Sequence, residues 1–388
     1  MPTDLERQTR IERNSTDGDA YLIEGERRAM ALGNRGPIRF DAAGNLHPDI
    51  LEAYSRCGFY VFEGVIGPEE LAEVERDFLD ILDRLPVDKG ALVDRHGRPA
   101  LGVDNTMPVL GWTKPLGDPL GGTGILADRM PVKMSEPEAA STAPEHVVYS
   151  LFGALQFSTA ALRVYGHPQL LAVAAAINGH DFTPFSETWI WKEPGLGASI
   201  AWHQDGITHW ESPDLDEGTH GFNYQMQLYG TTAATGLWVV PGSHRGGKVD
   251  IRAIAAKAGG DRFPDAVPVI CKPGDVSITS RQALHGSFAN TSLDWRSSLT
   301  FGFHRRRSVL DAPFVSIGTI DDAPKAYTDE VIARRSRVIG YAIVARHQHF
   351  PDEKPFSYRP HRLNGLQYAW DAEAEADMKD YNALDIAI

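Results

Sequence analysis

The chain has 388 residues, 42% of them hydrophobic and 23% charged, with a formal net charge of −14. This is the balance of a soluble globular protein, and an acidic chain without a dense basic stripe argues against a nucleic-acid partner. No apolar run reaches the roughly 18 residues that a membrane span needs, so no membrane partner is expected. Met1-Pro2-Thr3-Asp4-Leu5-Glu6-Arg7 lacks an apolar core and a cleavage pattern, so no secretory leader is expected. Cys57 and Cys271 read as two free thiols, which makes a reducing cytoplasm the expected location.

Residues 1–47 are polar and glycine-containing and read as an N-terminal arm or loose cap. Residues 48–185 read as helical support. His47-Pro48-Asp49 precedes Ile50-Leu51-Glu52-Ala53-Tyr54 and marks a helix start, with proline in the first turn. Gly58-Phe59-Tyr60-Val61-Phe62 has the content of a strand. Pro68-Glu69-Glu70-Leu71 opens a second helix, in which Leu71, Val74, Phe78, Ile81 and Leu82 follow core spacing.

A stretch at about 86–145 is punctuated by prolines and contains Gly121-Gly122-Thr123-Gly124. It lacks the flanking strand and helix that a phosphate-cradling loop needs. It reads as an irregular excursion, either a substrate-side lid or a surface insertion. Residues 150–178 read as helical, with Leu151, Leu155, Leu162, Leu170, Leu171 and Val173 as core.

From about 186 to 305 short strand-like segments follow one another: Glu187 to Lys192, Ser199 to Gln204, Phe222 to Tyr229, Leu237 to Val240, Val267 to Ile270, Val276 to Thr279 and Ser297 to His304. Turns such as Pro194-Gly195, Pro241-Gly242-Ser243 and Pro273-Gly274-Asp275 separate them, a pattern of sandwiches and barrels. Residues 306–388 read as a C-terminal extension with a helix near 328–340. The whole chain reads as one domain, mainly β with flanking helices.

The sharpest chemical feature is His203-Gln204-Asp205. On a strand, residues i and i+2 share a face, so an imidazole and a carboxylate project together while Gln204 turns away. One further ligand would complete the two-histidine, one-carboxylate face of non-haem Fe(II) oxygenases, which leaves positions open for substrate and oxygen. The triplet is common by itself and recurs at the helix start His47-Pro48-Asp49. His285, in Ala283-Leu284-His285-Gly286-Ser287, is the candidate third ligand. Arg296 follows eleven residues later at a strand start. A buried arginine beside a metal calls for an anion, and its planar fork suits a carboxylate.

Taken together these segments resemble the phytanoyl-CoA dioxygenase family of Fe(II)/2-oxoglutarate-dependent oxygenases. Gly58 to Ile66 with Pro68-Glu69-Glu70-Leu71 resembles the family's entry, and Trp202-His203-Gln204-Asp205-Gly206 resembles its first metal segment. Gly236-Leu237-Trp238-Val239-Val240-Pro241-Gly242-Ser243-His244 resembles its central hairpin. Lys272-Pro273-Gly274-Asp275-Val276 then leads to His285-Gly286-Ser287 and Arg296. The family often has a Glu-Asn-Gly-like turn where this chain has Ala234-Thr235-Gly236.

The resemblance implies a double-stranded β-helix (a jelly roll, cupin-like core) with helices outside. It implies Fe(II) on His203, Asp205 and His285, and 2-oxoglutarate and O2 as cosubstrates. Arg296, helped by Ser287, would hold the far carboxylate of 2-oxoglutarate. Gln225 and Gln227 would face the cosubstrate or substrate, and Lys192 would line the site or sit on a solvated surface. The implied reaction is oxidation of a C–H bond of a small molecule, with release of succinate and CO2. Asp205 fills the position that is small in related halogenases, which favours hydroxylation.

Other histidines compete. His244 reads as a turn residue. His209 and His220 flank an acidic loop near the presumed mouth, where His209 and Trp210 are candidate substrate contacts. His304 sits beside arginines, which disfavours a ligand role. The alternatives are a cupin-like hydrolase or isomerase, which leaves Arg296 unexplained, and a non-catalytic small-molecule binding jelly roll, which needs no open metal face. Substrate identity and oligomeric state are not written in these patterns.

Overall fold

The structure, a computed structural model, describes residues 20–205, 210, 221–314 and 325–384. Strands β1 (Arg35–Gly36), β2 (Phe59–Phe62), β3 (Leu110–Thr113), β4 (Val147–Phe152) and β5 (Thr183–Lys192) precede the metal segment. Strands β6 (Ile200–His203), β7 (Gly221–Gln227), β8 (Trp238–Val239), β9 (Val267–Pro268), β10 (Val276–Ser280), β11 (His285–Ser287) and β12 (Arg296–His304) follow. A small ribbon, Pro313–Phe314 with Lys325–Ala326, lies outside the main sheets.

The larger sheet runs β1-β2-β10-β7-β12-β5-β4-β3, and the smaller runs β6-β11-β8-β9. From β5 to β12 the chain passes back and forth between them. Strands β5, β7, β10 and β12 lie in one sheet and β6, β8, β9 and β11 in the other. That interleaving is the double-stranded β-helix, and it closes a space between the two inner faces.

Strand period sorts the side chains. On β12, Arg296 and Thr300 line the internal cavity, while Leu299, Phe301 and Phe303 are fully buried in the outer core. The outer face of the larger sheet is covered by helices Pro68–Asp83, Thr159–Tyr165, Pro168–Asn178 and Asp329–His349. Phe78 stacks on Trp189, with ring centroids 5.1 Å apart, and Tyr165 meets Phe301 at 5.3 Å. Each such side chain stabilises the layer by roughly 1.5–3 kcal/mol through burial. Glu187 of β5 and Arg335 of the last of these helices form an ion pair in which both side chains are fully buried.

Three expectations need correction. Residues 20–31 are not a loose arm: Ala20–Ala31 is a helix whose Tyr21 stacks on Trp238 at 4.7 Å. Residues 150–152 are not helical but end β4, and the helices begin after a short 3-10 turn at Ala154–Gln156. The excursion also contributes a regular strand, β3, to the edge of the larger sheet. Elsewhere the helix start at His47 holds: its imidazole accepts the Asp49 amide hydrogen bond and Pro48 occupies the first turn. Among the described residues, no helix is long and apolar enough to cross a membrane.

Candidate metal centre

Strands β6 and β11 are antiparallel neighbours, and their register sets His203 directly across from His285. Alternation on β6 sends Trp202 outward, where it stacks on Phe263 at 4.5 Å, and His203 inward. Gly286 lets the two strands approach, because a Cβ there would lie 3.1 Å from both Ile200 O and the Trp202 ring. Past the end of β6, the Asp205 amide donates to Arg281 O (2.8 Å), which turns the carboxylate toward both imidazoles. Gln204 points away: its Nε2 donates to Gly247 O and Gln282 O, and its Oε1 accepts from Val249 N.

His203 Nε2 lies 3.5 Å from Asp205 Oδ1, and His285 Nε2 lies 3.9 Å from Asp205 Oδ2. The three donor atoms all fall within 4.8 Å of one another, and the three residues are buried. Each imidazole is oriented by the same device. His203 Nδ1 bonds Ala201 O at 2.7 Å and His285 Nδ1 bonds Ala283 O at 2.8 Å. With a hydrogen on each Nδ1, each Nε2 presents a lone pair to the common centre. Burial lowers the His285 pKa to about 4, with His203 adding to the effect against the pull of Asp205. His285 is therefore a neutral donor at physiological pH. Burial alone would raise the Asp205 pKa, but the His203 contact and the charges of Arg281, His285 and Arg129 hold it well below the usual carboxylate range. Asn223 Nδ2 also donates to Asp205 Oδ2 (2.8 Å).

A cavity of about 250 Å³ opens in front of these donors. Arg296 and Ser287 stand in its wall with Gln225. Arg296 is 2% exposed, and its Nε donates to Ser298 Oγ (3.1 Å), which in turn donates to Gln227 Oε1 (2.6 Å). Burial lowers the Arg296 pKa to about 10, so the guanidinium stays charged. Lys192 is its cross-strand neighbour on β5. It is fully buried, which settles against a solvated surface position, and its Nζ donates to Ser287 Oγ (2.9 Å) and to Phe288 O. Burial first, and Arg296 second, push the Lys192 pKa well below its usual value.

The remaining candidates fall in different places. Gln227 is buried behind Arg296 and is not among the cavity residues. Trp210 is half-buried and also absent from the cavity wall, while His209 and His220 lie outside the described residues. His244 is buried in a turn of 3-10 helix and bonds Ser55 O; His304 is buried against Arg281, 2.9 Å away. Sequence patterning does not single out Arg129, Asn223 and Thr300, which all line the cavity. Strand parity identifies two of them: Asn223 shares a face with Gln225, and Thr300 with Arg296. Arg129 lies in the excursion, where no period exists to read. That excursion contributes Leu120, Ile125, Arg129 and Met130 to the cavity, so it walls the site and is not a remote surface insertion.

The family model for phytanoyl-CoA dioxygenase matches residues 54–298, a span that holds all three donors, Lys192, Ser287 and Arg296. The chain belongs to the phytanoyl-CoA dioxygenase family. Phytanoyl-CoA dioxygenase 1 of Oryza sativa subsp. japonica is 28% identical over 121 residues, which cover 29% of this chain and 41% of that relative's length. Among solved structures, the chain is similar to EctD from S. alaskensis with bound Fe: 18% identity, 75% of this chain, 89% of that chain and a TM-score of 0.48. It is also similar to the non-heme alpha ketoglutarate dependent epimerase SnoN from nogalamycin biosynthesis: 18% identity, 72% and 89% coverage and a TM-score of 0.44. As a phytanoyl-CoA dioxygenase family member, the chain joins the family's metal segment to an excursion wall and a C-terminal helix that follows the matched residues.

Proposed function

We propose that this chain is an Fe(II)/2-oxoglutarate-dependent dioxygenase that hydroxylates a C–H bond of a small molecule. One observation carries the reading: two imidazoles and a carboxylate converge on one face of a cavity whose wall holds a buried guanidinium. The donor set suits a ferrous ion, with one face covered and the other open. Among the described residues, no carboxylate pairs with Arg296. A buried cation without a counter-ion is costly, and the keto acid's far carboxylate would supply one.

In that reading His203, Asp205 and His285 hold the iron. When bound, the iron and keto acid supply the oxidising chemistry, with O2 consumed and succinate and CO2 released. The protein's part is positioning. Arg296 gives a fork for a carboxylate, fixed by its bond to Ser298 and, through it, Gln227. Lys192 donates to Ser287 Oγ, so the Ser287 hydroxyl hydrogen is available to donate into the cavity. Gln225 offers its side-chain amide from the facing wall. Leu120, Ile125, Met130 and Leu237 keep the space apolar, which strengthens these charged contacts. Asp205 occupies the third ligand position with a carboxylate, which leaves no place for a halide there and favours hydroxylation.

The test is anaerobic addition of Fe(II) and then 2-oxoglutarate to the purified chain. A weak visible charge-transfer band that needs both is expected, and Arg296→Ala should require far more keto acid to reach it. Absence of the band together with no affinity for the keto acid would replace this reading with a hydrolase, an isomerase or a binding module.

A further inference from the structure

The two oxygens of the Asp205 carboxylate meet different neighbours. Oδ1 faces His203 Nε2 at 3.5 Å and Arg129 Nη1 at 3.4 Å. Oδ2 accepts a hydrogen bond from Asn223 Nδ2 at 2.8 Å, with His285 Nε2 3.9 Å away. The tightest of these contacts is the one from Asn223. A carboxylate accepts hydrogen bonds, so it fixes the Asn223 amide with the nitrogen toward Asp205 and the oxygen away.

The place of Asn223 is built into the larger sheet. Its strand, β7, is paired on both sides, with Asn223 across from Thr279 of β10 and from Gly302 of β12. Gly302 leaves the room that the amide oxygen takes: a Cβ there would lie 2.5 Å from Asn223 Oδ1 and 2.5 Å from Phe222 O. The pairing of β12 with β5 shifts register between Phe301 and Phe303, at this same glycine. Asn223 also lines the cavity, next to the metal face. Its amide donates without carrying charge, so it can hold a carboxylate oxygen without rivalling a metal cation for the carboxylate's charge.

We infer that Asn223 is a positioning residue for the metal centre, a role that rests on the oxygenase reading: by holding Oδ2 it leaves Asp205 one oxygen for the metal. A carboxylate that closed on the metal with both oxygens would take a further coordination position, at the expense of the one kept open for O2. Partners of this kind orient a ligand, and losing one costs about 10–100-fold in metal affinity or activity. Gly302 serves the same end at one remove, by seating the amide.

The experiment uses the full chain without O2 and two probes: Co(II) alone, and nitric oxide as a stand-in for O2 on the Fe(II)/2-oxoglutarate complex. Asn223→Leu keeps a similar volume and removes the donor. It is expected to raise the Kd for Co(II) by roughly tenfold or more, and to raise by a similar factor the nitric oxide concentration that half-develops the paramagnetic resonance signal. The 2-oxoglutarate concentration that half-develops the charge-transfer band should stay within about twofold, because the Arg296 fork is untouched. Gly302→Ala, which alters neither Asp205 nor Asn223, should reproduce the nitric oxide effect in weaker form. Unchanged nitric oxide binding in Asn223→Leu overturns the inference, and so does a keto acid requirement that rises in step with it, since the whole site would then have loosened. If Asn223→Leu does not fold, Gly302→Ala decides by the same criteria. Absence of the band in the unaltered chain strikes the oxygenase reading instead, and the Co(II) constants then decide: equal values in the unaltered chain and in Asn223→Leu overturn the role of Asn223.

Discussion

The two walls of the cavity are built on different principles. One is sheet: His203, His285, Ser287, Gln225 and Arg296 sit on strands whose ladders fix them to a fraction of a side chain. The other is loop: Leu120, Ile125, Arg129 and Met130 hang on backbone hydrogen bonds to buried carboxylates and on one exposed ion pair. A ladder cannot move one member without moving its neighbours, so it suits the groups whose mutual distances decide the chemistry. A strapped loop tolerates sequence change, so it suits groups that select what enters a site. In the proposed oxygenase, the reaction type would rest on the sheet and selectivity on the excursion.

Substitutions can break or sharpen this division. The largest effect is expected on the sheet side. Asp205→Ala should lower metal retention and turnover by more than about 10³-fold, since it removes a ligand from a three-donor face. Metal content after desalting and succinate release measure it, and turnover near the wild-type level would break the assignment of the sheet wall. Arg296→Ala should raise the Kd for 2-oxoglutarate by about 10²-fold, the scale of a lost charge-assisted pair, with metal content unchanged.

Lys192→Met is expected to weaken 2-oxoglutarate by about tenfold while the melting temperature holds or rises. It removes a buried amine whose charged form burial and Arg296 disfavour, at similar volume. Unchanged keto acid affinity would reduce Lys192 to packing. The smallest effect belongs to the loop side. Arg252→Ala removes an ion pair with Asp128 whose partners are 61% and 45% exposed, so stability should change by no more than about 0.5 kcal/mol in thermal melts. A larger loss would show that the excursion depends on that outer tie and is less securely strapped than the buried carboxylates suggest.

Much of the sheet wall is legible in the linear sequence because strand parity is a local rule. His203 and Asp205 share a face for that reason, and Gln204 turns to the backbone of Gly247 and Gln282 as parity requires. His285 is legible from its glycine neighbour and the turn that precedes its strand. The register that sets His285 across from His203 is not a local property, and only the fold reveals it. The same limit explains Gln227. Parity sends it inward with Gln225, but Ser298 on the neighbouring strand takes its side chain as a partner, so it backs Arg296 and does not meet the cavity.

Elsewhere local signals mislead. Val147–Phe152 is apolar and lies next to helix-like spacing, so leucines 151 and 155 read as one helix; both are buried, but on different elements. Helix Ala20–Ala31 mixes charged residues (Glu24, Glu26, Arg27, Arg28) with apolar ones, and it is held by contacts more than 200 residues away. Arg28 donates to Pro264 O and Ala266 O, and Tyr21 donates to Phe263 O. No window of sequence contains those partners. Arg129 is the extreme case, a side chain placed by a loop whose course is set by isolated carboxylate-to-backbone bonds.

The interior pairing of Glu187 with Arg335 ties the last part of the chain to the strand that carries Lys192. The family match ends at residue 298, yet the guanidinium that neutralises Glu187 is supplied from beyond it. Truncation after the matched span would leave a carboxylate enclosed in hydrocarbon with its compensating charge gone. The last stretch of the chain is thus an integral part of the packed core and not an appendage, and shortening the chain would be felt along β5, the strand that ends in Lys192.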